Sequence, residues 1–452
     1  MRILMISANT EPFPEPVFPI GSVYVGNALQ RSGAQVRIFD MRLNSSVSKL
    51  KKELAAFRPE SIGISLRNVD NAAYPCTRYY LPSYLSLVKS LRTFSNVPII
   101  VGGSAFSLFP EEIVTYLGAD GGVKGEGETA INIFCNAEHE KIIKTDLTDL
   151  KDVAFPRNIK ELFPDFRKYR TMGIQTARGC PNHCIYCTYP FLEGRTRRTR
   201  SPEIVAAEID MLYKDFGIRN FFIVDSLFNE DEGHMIQVAE RIALLNLPIR
   251  FSCYLKPKIS TPDIFKLLKK AGCVAVDFGT DSGSPAMLTS LRKPFNADDI
   301  IKVSRACIDT GIDFCHSLIF GSPGENEKTI RETVRLMDEI TPRAAIAMTG
   351  VRIYPGTEME KIAREECIIT AGEFLLEPRF YFSHMGPSGL LKCVREATRG
   401  RKNWFFPGIK DWSSTIGFKV LHFLYRKGPL WKIFKKVKPD NAGFNERSDL
   451  YR

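Results

Sequence analysis

The stretch Cys180-Pro-Asn-His-Cys184-Ile-Tyr-Cys187 places three thiols within eight residues, with three and then two residues between them. Thiolates are soft ligands that suit zinc or iron–sulfur clusters. A structural zinc site asks for four protein ligands in a closed tetrahedron. His183 is a candidate fourth, but inside so tight a loop it is poorly aimed. Three thiolates alone hold three corners of a four-iron cluster and leave the last iron open. Gly179 before the loop and Tyr186 before its last cysteine speak against three unrelated core cysteines. The others, Cys76, Cys135, Cys253, Cys273, Cys307, Cys315, Cys367 and Cys393, have no ligand spacing and read as small core hydrophobes.

Working outward, strands at 171–177, 220–224, 250–254, 274–278, 314–320 and 344–354 alternate with helices at 201–215, 232–245, 261–271, 297–310 and 327–340. The cysteine loop leaves the first of these strands, which suits a (β/α) barrel with its chemistry at the carboxyl ends. Upstream, residues 2–8, 36–40, 61–65, 97–101 and 121–123 read as short buried strands between helices, with residues 125–128 opening the next helix. That order implies a doubly wound parallel sheet, with ligands at the loops after residues 8, 65 and 101 and around 125. Residues 137–170 show no clear period and read as a linker.

The chain has 452 residues, 44% hydrophobic and 25% charged, as in ordinary globular proteins of two to four domains. Met1-Arg-Ile-Leu-Met-Ile reads as a strand rather than a signal peptide, so a reducing cytoplasm is expected and disulfides are not. The apolar runs fall short of the roughly 20 residues of a membrane span. The net charge of +11 fits solvated basic faces or an anionic partner.

The cysteine spacing resembles the signature of the radical S-adenosylmethionine (SAM) enzymes. The resemblance implies that Cys180, Cys184 and Cys187 hold a [4Fe–4S] cluster and that SAM chelates its open iron. It implies cleavage of SAM to a 5′-deoxyadenosyl radical, with Tyr186 in the usual aromatic position. Gly279-Thr-Asp281-Ser282-Gly283 is similar to the family's Gly-x-Glu-Ser-Gly contact to SAM, with the shorter Asp281 for glutamate. Leu318-Ile319-Phe320-Gly321-Ser-Pro-Gly324-Glu325 resembles the segment flanking adenine, and Arg292-Lys293-Pro294 and Arg352-Ile-Tyr-Pro-Gly-Thr357 also match. A partial (β/α)6 barrel over 171–367 is implied. His316 is expected to pack in the core or behind the site.

Residues 1–140 resemble the Rossmann-like cobalamin-binding domain fused to many radical SAM enzymes. Pro19-Ile-Gly21, Gly33 before Val36 and Asp40, Ile62-Gly-Ile-Ser65, Val101-Gly102-Gly103 and Gly125-Glu126-Gly127-Glu128 carry the likeness. It implies cobalamin contacts at Ser65, Arg67, Asn68, Gly102, Gly103, Gly125, Glu126 and Gly127. The Asp-x-His-x-x-Gly motif that ligates cobalt from below is missing, and no histidine precedes His139. Two readings of Arg67 stand: against the lower face of cobalt, where a protonated guanidinium cannot ligate, or paired with Asp70.

Residues 141–170 are then the linker and 368–452 a mostly helical extension. Its aromatic stretch 375–383 is expected to cover the barrel mouth, with Tyr381 a candidate pocket residue or a packing one. Residues 401–438 carry ten Lys and Arg against Asp411 alone, interleaved with aromatics. Such a segment suits a membrane interface, an acidic partner or packing on the barrel. No RNA-binding module is visible.

The expected function is a cobalamin-dependent radical SAM methyltransferase acting on a weakly activated carbon or phosphorus of a small-molecule, lipid or isoprenoid substrate. An electron donor such as flavodoxin or ferredoxin is implied, in the cytoplasm or at the inner membrane face. Two alternatives stand: both cofactors without methyl transfer, giving cyclisation, rearrangement or oxidation, and a non-catalytic cobalamin carrier or scaffold.

Overall fold

The computed structural model describes residues 1–11, 16–130, 134, 141–370, 372–408 and 429–433. The first six strands are β1 Arg2–Ser7, β2 Gln35–Asp40, β3 Ser61–Ser65, β4 Ile99–Gly102, β5 Gly121–Lys124 and β6 Ile142–Lys144. They form one parallel sheet in the order β2-β1-β3-β4-β5-β6. Its central strands are buried on both faces, as a sheet covered by helices on both sides requires. The sequence anticipated five of the strands. β6 lies in the expected linker, which is in fact part of the fold. Val153, Phe155, Ile159, Leu162, Phe163, Phe166 and Tyr169 are buried beside Phe18 and Tyr24. They fill space between two units rather than one face of a helix, so no period marks them. Residues 125–128, expected to open a helix, lead into a short 3₁₀ turn, Gly127–Thr129, and most of the stretch where that helix would continue, 131–133 and 135–140, lies outside the described residues.

Next come β7 Met172–Ile174, the hairpin strands β8 Ala177–Arg178 and β9 Arg198–Thr199, then β10 Asn220–Ile223, β11 Arg250–Leu255, β12 Cys273–Asp281, β13 Asp313–Phe320 and β14 Ala344–Thr349. β15 Val351–Arg352 pairs antiparallel with β16 Phe380–Tyr381, and β17 Trp404–Phe405 follows. The second sheet runs β17-β14-β13-β12-β11-β10-β7, all parallel and without closure. It is the expected six-stranded partial barrel plus β17, contributed by the extension. Gly350, at φ +78, ends β14 where one long strand was expected. Helices Ala297–Thr310 and Glu327–Ile340 begin at full capping boxes, Asn296 with Asp299 and Asn326 with Thr329.

The two units are riveted together. Arg352 pairs with Asp70 at 2.9 Å, both side chains buried. Tyr169 donates to Asp40 at 3.0 Å, and Asn44 to Asp165 at 2.6 Å. Trp431, in the turn Leu430–Ile433, packs on Ala275, Cys315 and Ala344 at the amino ends of the barrel strands. Lys432 bonds Asp313 there at 3.0 Å. This part of the basic segment is thus a floor of the barrel. Residues 409–428 and 434–438, on which the membrane-contact reading also rests, lie outside the described residues. No helix among the described residues is long and apolar enough to cross a membrane.

Candidate active site

The carboxyl ends of both sheets meet at one cavity of about 880 Å³. That volume lies near the top of the roughly 300–1,000 Å³ range of ligand pockets.

On its barrel side, the loop carrying Cys180 is fixed before it begins. Asp225 accepts from Thr176 N at 2.7 Å, Thr176 Oγ1 at 2.6 Å and Ala177 N at 3.1 Å. Arg197 donates to Gly179 O at 3.1 Å and to Asp225 at 3.2 Å. Gly179 has φ +93, and a Cβ there would meet Thr196 O at 2.1 Å, so only glycine fits. Cys180 is buried, and Cys184 and Cys187 are half-buried. Burial pushes the Cys187 thiol up to about 12, and Cys184 and Cys180 add to the effect, which places the three in one neighbourhood. Among the described residues no three His, Cys, Asp or Glu side chains converge on a single metal ion. Thiolates bound to three different irons of a cube need no such convergence. His183 turns away to Arg195, its Nδ1 3.2 Å from the guanidinium. The residues present therefore fit a cluster.

The loop is tied to β12 by a buried network. Tyr186 Oη donates to Asp281, and Lys293 Nζ reaches the same carboxylate at 2.7 Å. Burial works against the Lys293 ammonium, but Asp281 and Cys184 outweigh it and keep it charged. Asp281, expected to contact SAM, is thus occupied in holding Tyr186 and Lys293. It also takes φ +65, a conformation uncommon outside glycine. Ser282 and Gly283 bond Thr333 Oγ1 at 2.9 and 3.0 Å. Leu318 and Phe320 are buried among the helices outside the barrel, and Ile319 is half-buried on the other side. Gly321 N donates to Glu325 at 2.5 Å, and Gly279 has open space where a Cβ would stand. Apart from Gly279 and Ile319, these positions offer a ligand their backbone more than their side chains. His316 packs between sheet and helix, bonded to Thr280 at 2.6 Å and Ser304 at 3.1 Å.

On the opposite wall stand Ser65, Arg67, Asn68, Gly102, Gly103, Gly125, Glu126 and Gly127, all lining the cavity. Gly103 (φ +97) and Gly125 (φ +108) turn the loops tightly. A Cβ at Gly103 would strike Leu66 O at 2.6 Å. The anticipated Arg67–Asp70 pair does not form, because Arg352 holds Asp70. Arg67 instead stands in the cavity near Tyr84, Tyr189 and Tyr254; burial pushes their hydroxyl pKa values up and keeps them protonated, and the Arg67 cation opposes this only in part. No histidine lines the cavity among the described residues. A broad cavity walled by glycine backbone fits a large planar cofactor such as cobalamin, held without an imidazole below.

The Glu126 carboxylate is engaged elsewhere. It pairs with Arg178 at 3.1 Å and Arg198 at 2.6 Å, and Arg178 reaches Glu128 at 2.5 Å. Burial raises its pKa, but Arg198 and Arg178 outweigh burial and hold it below the usual carboxylate range. The Gly-Glu-Gly-Glu stretch therefore locks the first unit to the strand that leads into Cys180. Arg178 and Arg198 carry no signal in a single sequence, since their partners lie far along the chain. Tyr381 lies in the core, donates to Glu366 at 2.8 Å and does not line the cavity, so its role is packing.

A Rossmann-like sheet and a partial barrel share one cavity, and the three-cysteine loop runs between two residues that line it, Arg178 and Thr188. The model of the B12 binding domain matches residues 6–134, and that of the radical SAM superfamily residues 174–337. The chain is a member of the radical SAM superfamily that carries a B12-binding domain. It is 24% identical to an uncharacterized methyltransferase of Pyrococcus horikoshii, over 88% of this chain and 91% of the relative. It is 25% identical to the hopanoid C-3 methylase of Methylococcus capsulatus, over 75% of this chain and 67% of the relative. The structure of the radical SAM methyltransferase TsrM from Kitasatospora setae, with cobalamin and a [4Fe–4S] cluster bound, superposes with a TM-score of 0.82. It covers 96% of this chain and 97% of that one at 20% identity. The expected recognition, fold and enzyme class agree with these findings.

Proposed function

We propose that this chain is a cobalamin-dependent radical SAM methyltransferase that moves a methyl group from SAM to a weakly activated carbon of a small molecule. One observation carries the reading: the glycine-rich wall and the two ends of the cysteine loop, Arg178 and Thr188, line the same cavity. When bound, the cluster with SAM supplies a radical and cobalamin supplies a carrier for the methyl group.

The chain's own residues bind, orient and shield. Cys180, Cys184 and Cys187 would hold the cluster, and Asp225 with Arg197 fixes the loop that carries them. Tyr186, Asp281 and Lys293 hold that loop against β12. Glu126, Glu128, Arg178 and Arg198 set the spacing between the two walls. Arg67, which lines the cavity, would meet bound cobalamin as a cation that has no electron pair to donate. Replacing Arg67 with Ala should alter the visible spectrum of bound cobalamin and slow methyl transfer at unchanged iron content. Unchanged spectra and turnover would remove Arg67 from this role.

A reducing partner of the flavodoxin or ferredoxin kind completes the system. Transfer of labelled methyl from SAM to product tests the whole reading. SAM cleavage with no labelled product would favour rearrangement or oxidation, and cobalamin binding without SAM cleavage would favour a carrier.

A further inference from the structure

The barrel lumen below the cluster contains a carboxyl that the proposed reaction does not use. Asp277 lies on β12, 8% exposed, and lines the cavity. Its one hydrogen bond among the described residues comes from the Cys315 thiol, a weak donor. The Trp431 indole N–H lies close to the same carboxyl and favours its ionised form, short of a well-formed hydrogen bond. No Lys or Arg among the described residues pairs with Asp277. A buried carboxyl is costly unless a cation or strong donors compensate it. Burial accordingly pushes its pKa up to about 6.

The surroundings complete a pocket. Tyr254 sits beside Asp277 in register on the neighbouring strand. Its ring meets Phe222 edge-on with centroids 5.1 Å apart. Both rings line the cavity, as do Ile346 and Met348. Trp431 closes the floor. Asp277 and Asp281 are four residues apart on one strand, a rise of about 13 Å toward the cysteine loop. A ligand seated on Asp277 would extend its far end along the lumen toward Arg178 and Thr188, at the ends of the cysteine loop.

We propose that Asp277 is the anchor for a protonated amine on the substrate, whose apolar or aromatic body lies along Phe222 and Tyr254 with its methyl-accepting carbon at the other end. The ammonium would pair with the carboxylate and lie against the Tyr254 ring, an arrangement that favours cations over neutral groups. The substrate class is then a small amine about 10 Å long, set by the lumen depth, and not a neutral hydrocarbon lipid. That substrate fate rests on the methyl-transfer reading; the binding site does not.

The test uses the full chain, reconstituted anaerobically with cluster and cobalamin, and two probes of matched shape. Phenethylamine and 2-phenylethanol are titrated calorimetrically at pH 7.5. The amine should bind roughly tenfold tighter or more, and Asp277→Asn should erase the difference while iron and cobalt contents hold. Tyr254→Leu should reduce it, and decides the matter if Asp277→Asn loses its cofactors. Equal binding of the two probes, binding of neither, or a preference that survives both substitutions overturns the assignment. With labelled SAM and a small-molecule extract, labelled product should be retained on a cation exchanger. Label in neutral lipid overturns the amine anchor and leaves methyl transfer standing. SAM cleavage with no label in any fraction overturns methyl transfer, and the calorimetry still judges the site.

Discussion

The two walls of the central cavity are built on opposite plans. The N-terminal sheet presents backbone, with glycines at the ends of β4 and β5 and one unpaired-with-Asp70 cation, Arg67. The barrel presents side chains: Arg178, Phe222, Tyr254 and the Asp277 carboxyl line the cavity, and the three thiols lie between its lining residues Arg178 and Thr188. A wall of backbone receives a broad, flat ligand by shape and tolerates few added atoms. A wall of side chains receives ligands at points, so each point fails separately. Cofactor loss should therefore divide by wall.

The largest effect is expected from Cys184→Ala. It should abolish bound cluster and SAM cleavage yet leave cobalamin binding near the parent level, as iron, sulfide and cobalt analysis would show. Loss of cobalt as well would mean the walls are not independent. Next comes Arg178→Ala, which strands Glu128 at the junction and leaves Glu126 with Arg198 alone of its two cations. Breaking a buried ion pair this way costs about 3–5 kcal/mol, readable by denaturant unfolding. The variant should also lose part of the acid sensitivity. Glu126 is held below its unfolded value of about 4.5, so its contribution is full above that pH and fades as pH falls below it. Equal acid sensitivity in parent and variant would contradict the clamp.

Gly103→Val is expected to be milder for the fold, about 1–3 kcal/mol of backbone strain. It should nonetheless sharply reduce cobalamin retention at unchanged iron, because its Cβ strikes Leu66 O and shifts the wall. Equal loss of iron and cobalt would erase the contrast between the walls. The smallest effect belongs to Tyr381→Phe. It removes one hydrogen bond to Glu366, about 1 kcal/mol of stability, and should leave KM for SAM and substrate unchanged.

These walls differ also in how far the sequence reveals them. The cysteine loop is local, three thiols within eight residues, and needs no structure to be found. Strands such as Ser61–Ser65 and helices such as Ala297–Thr310 and Glu327–Ile340 were legible to the residue, because patterning, caps and glycine stops agree there. The strand Ile142–Lys144 was not, since at a sheet edge its three residues carry no alternation strong enough to see. The partners of the clamp are some 50 to 70 residues apart. Glu126 therefore looked like a cofactor contact, when its carboxylate binds the other domain. Asp281 looked like an arm reaching for SAM, and the ammonium that claims it is Lys293. Asp277 stood out least, one acid in an apolar strand, until the fold placed it in the lumen.

The central claim is that both walls hold a cofactor in the same chain. Anaerobic reconstitution with iron, sulfide and hydroxocobalamin, followed by metal analysis and visible spectra, tests it most directly. The account expects about four irons and one cobalt per chain, with cobalt retained in Cys184→Ala and iron retained in Gly103→Val. Four irons with no bound cobalt would contradict it, and the glycine-rich wall would then need another ligand.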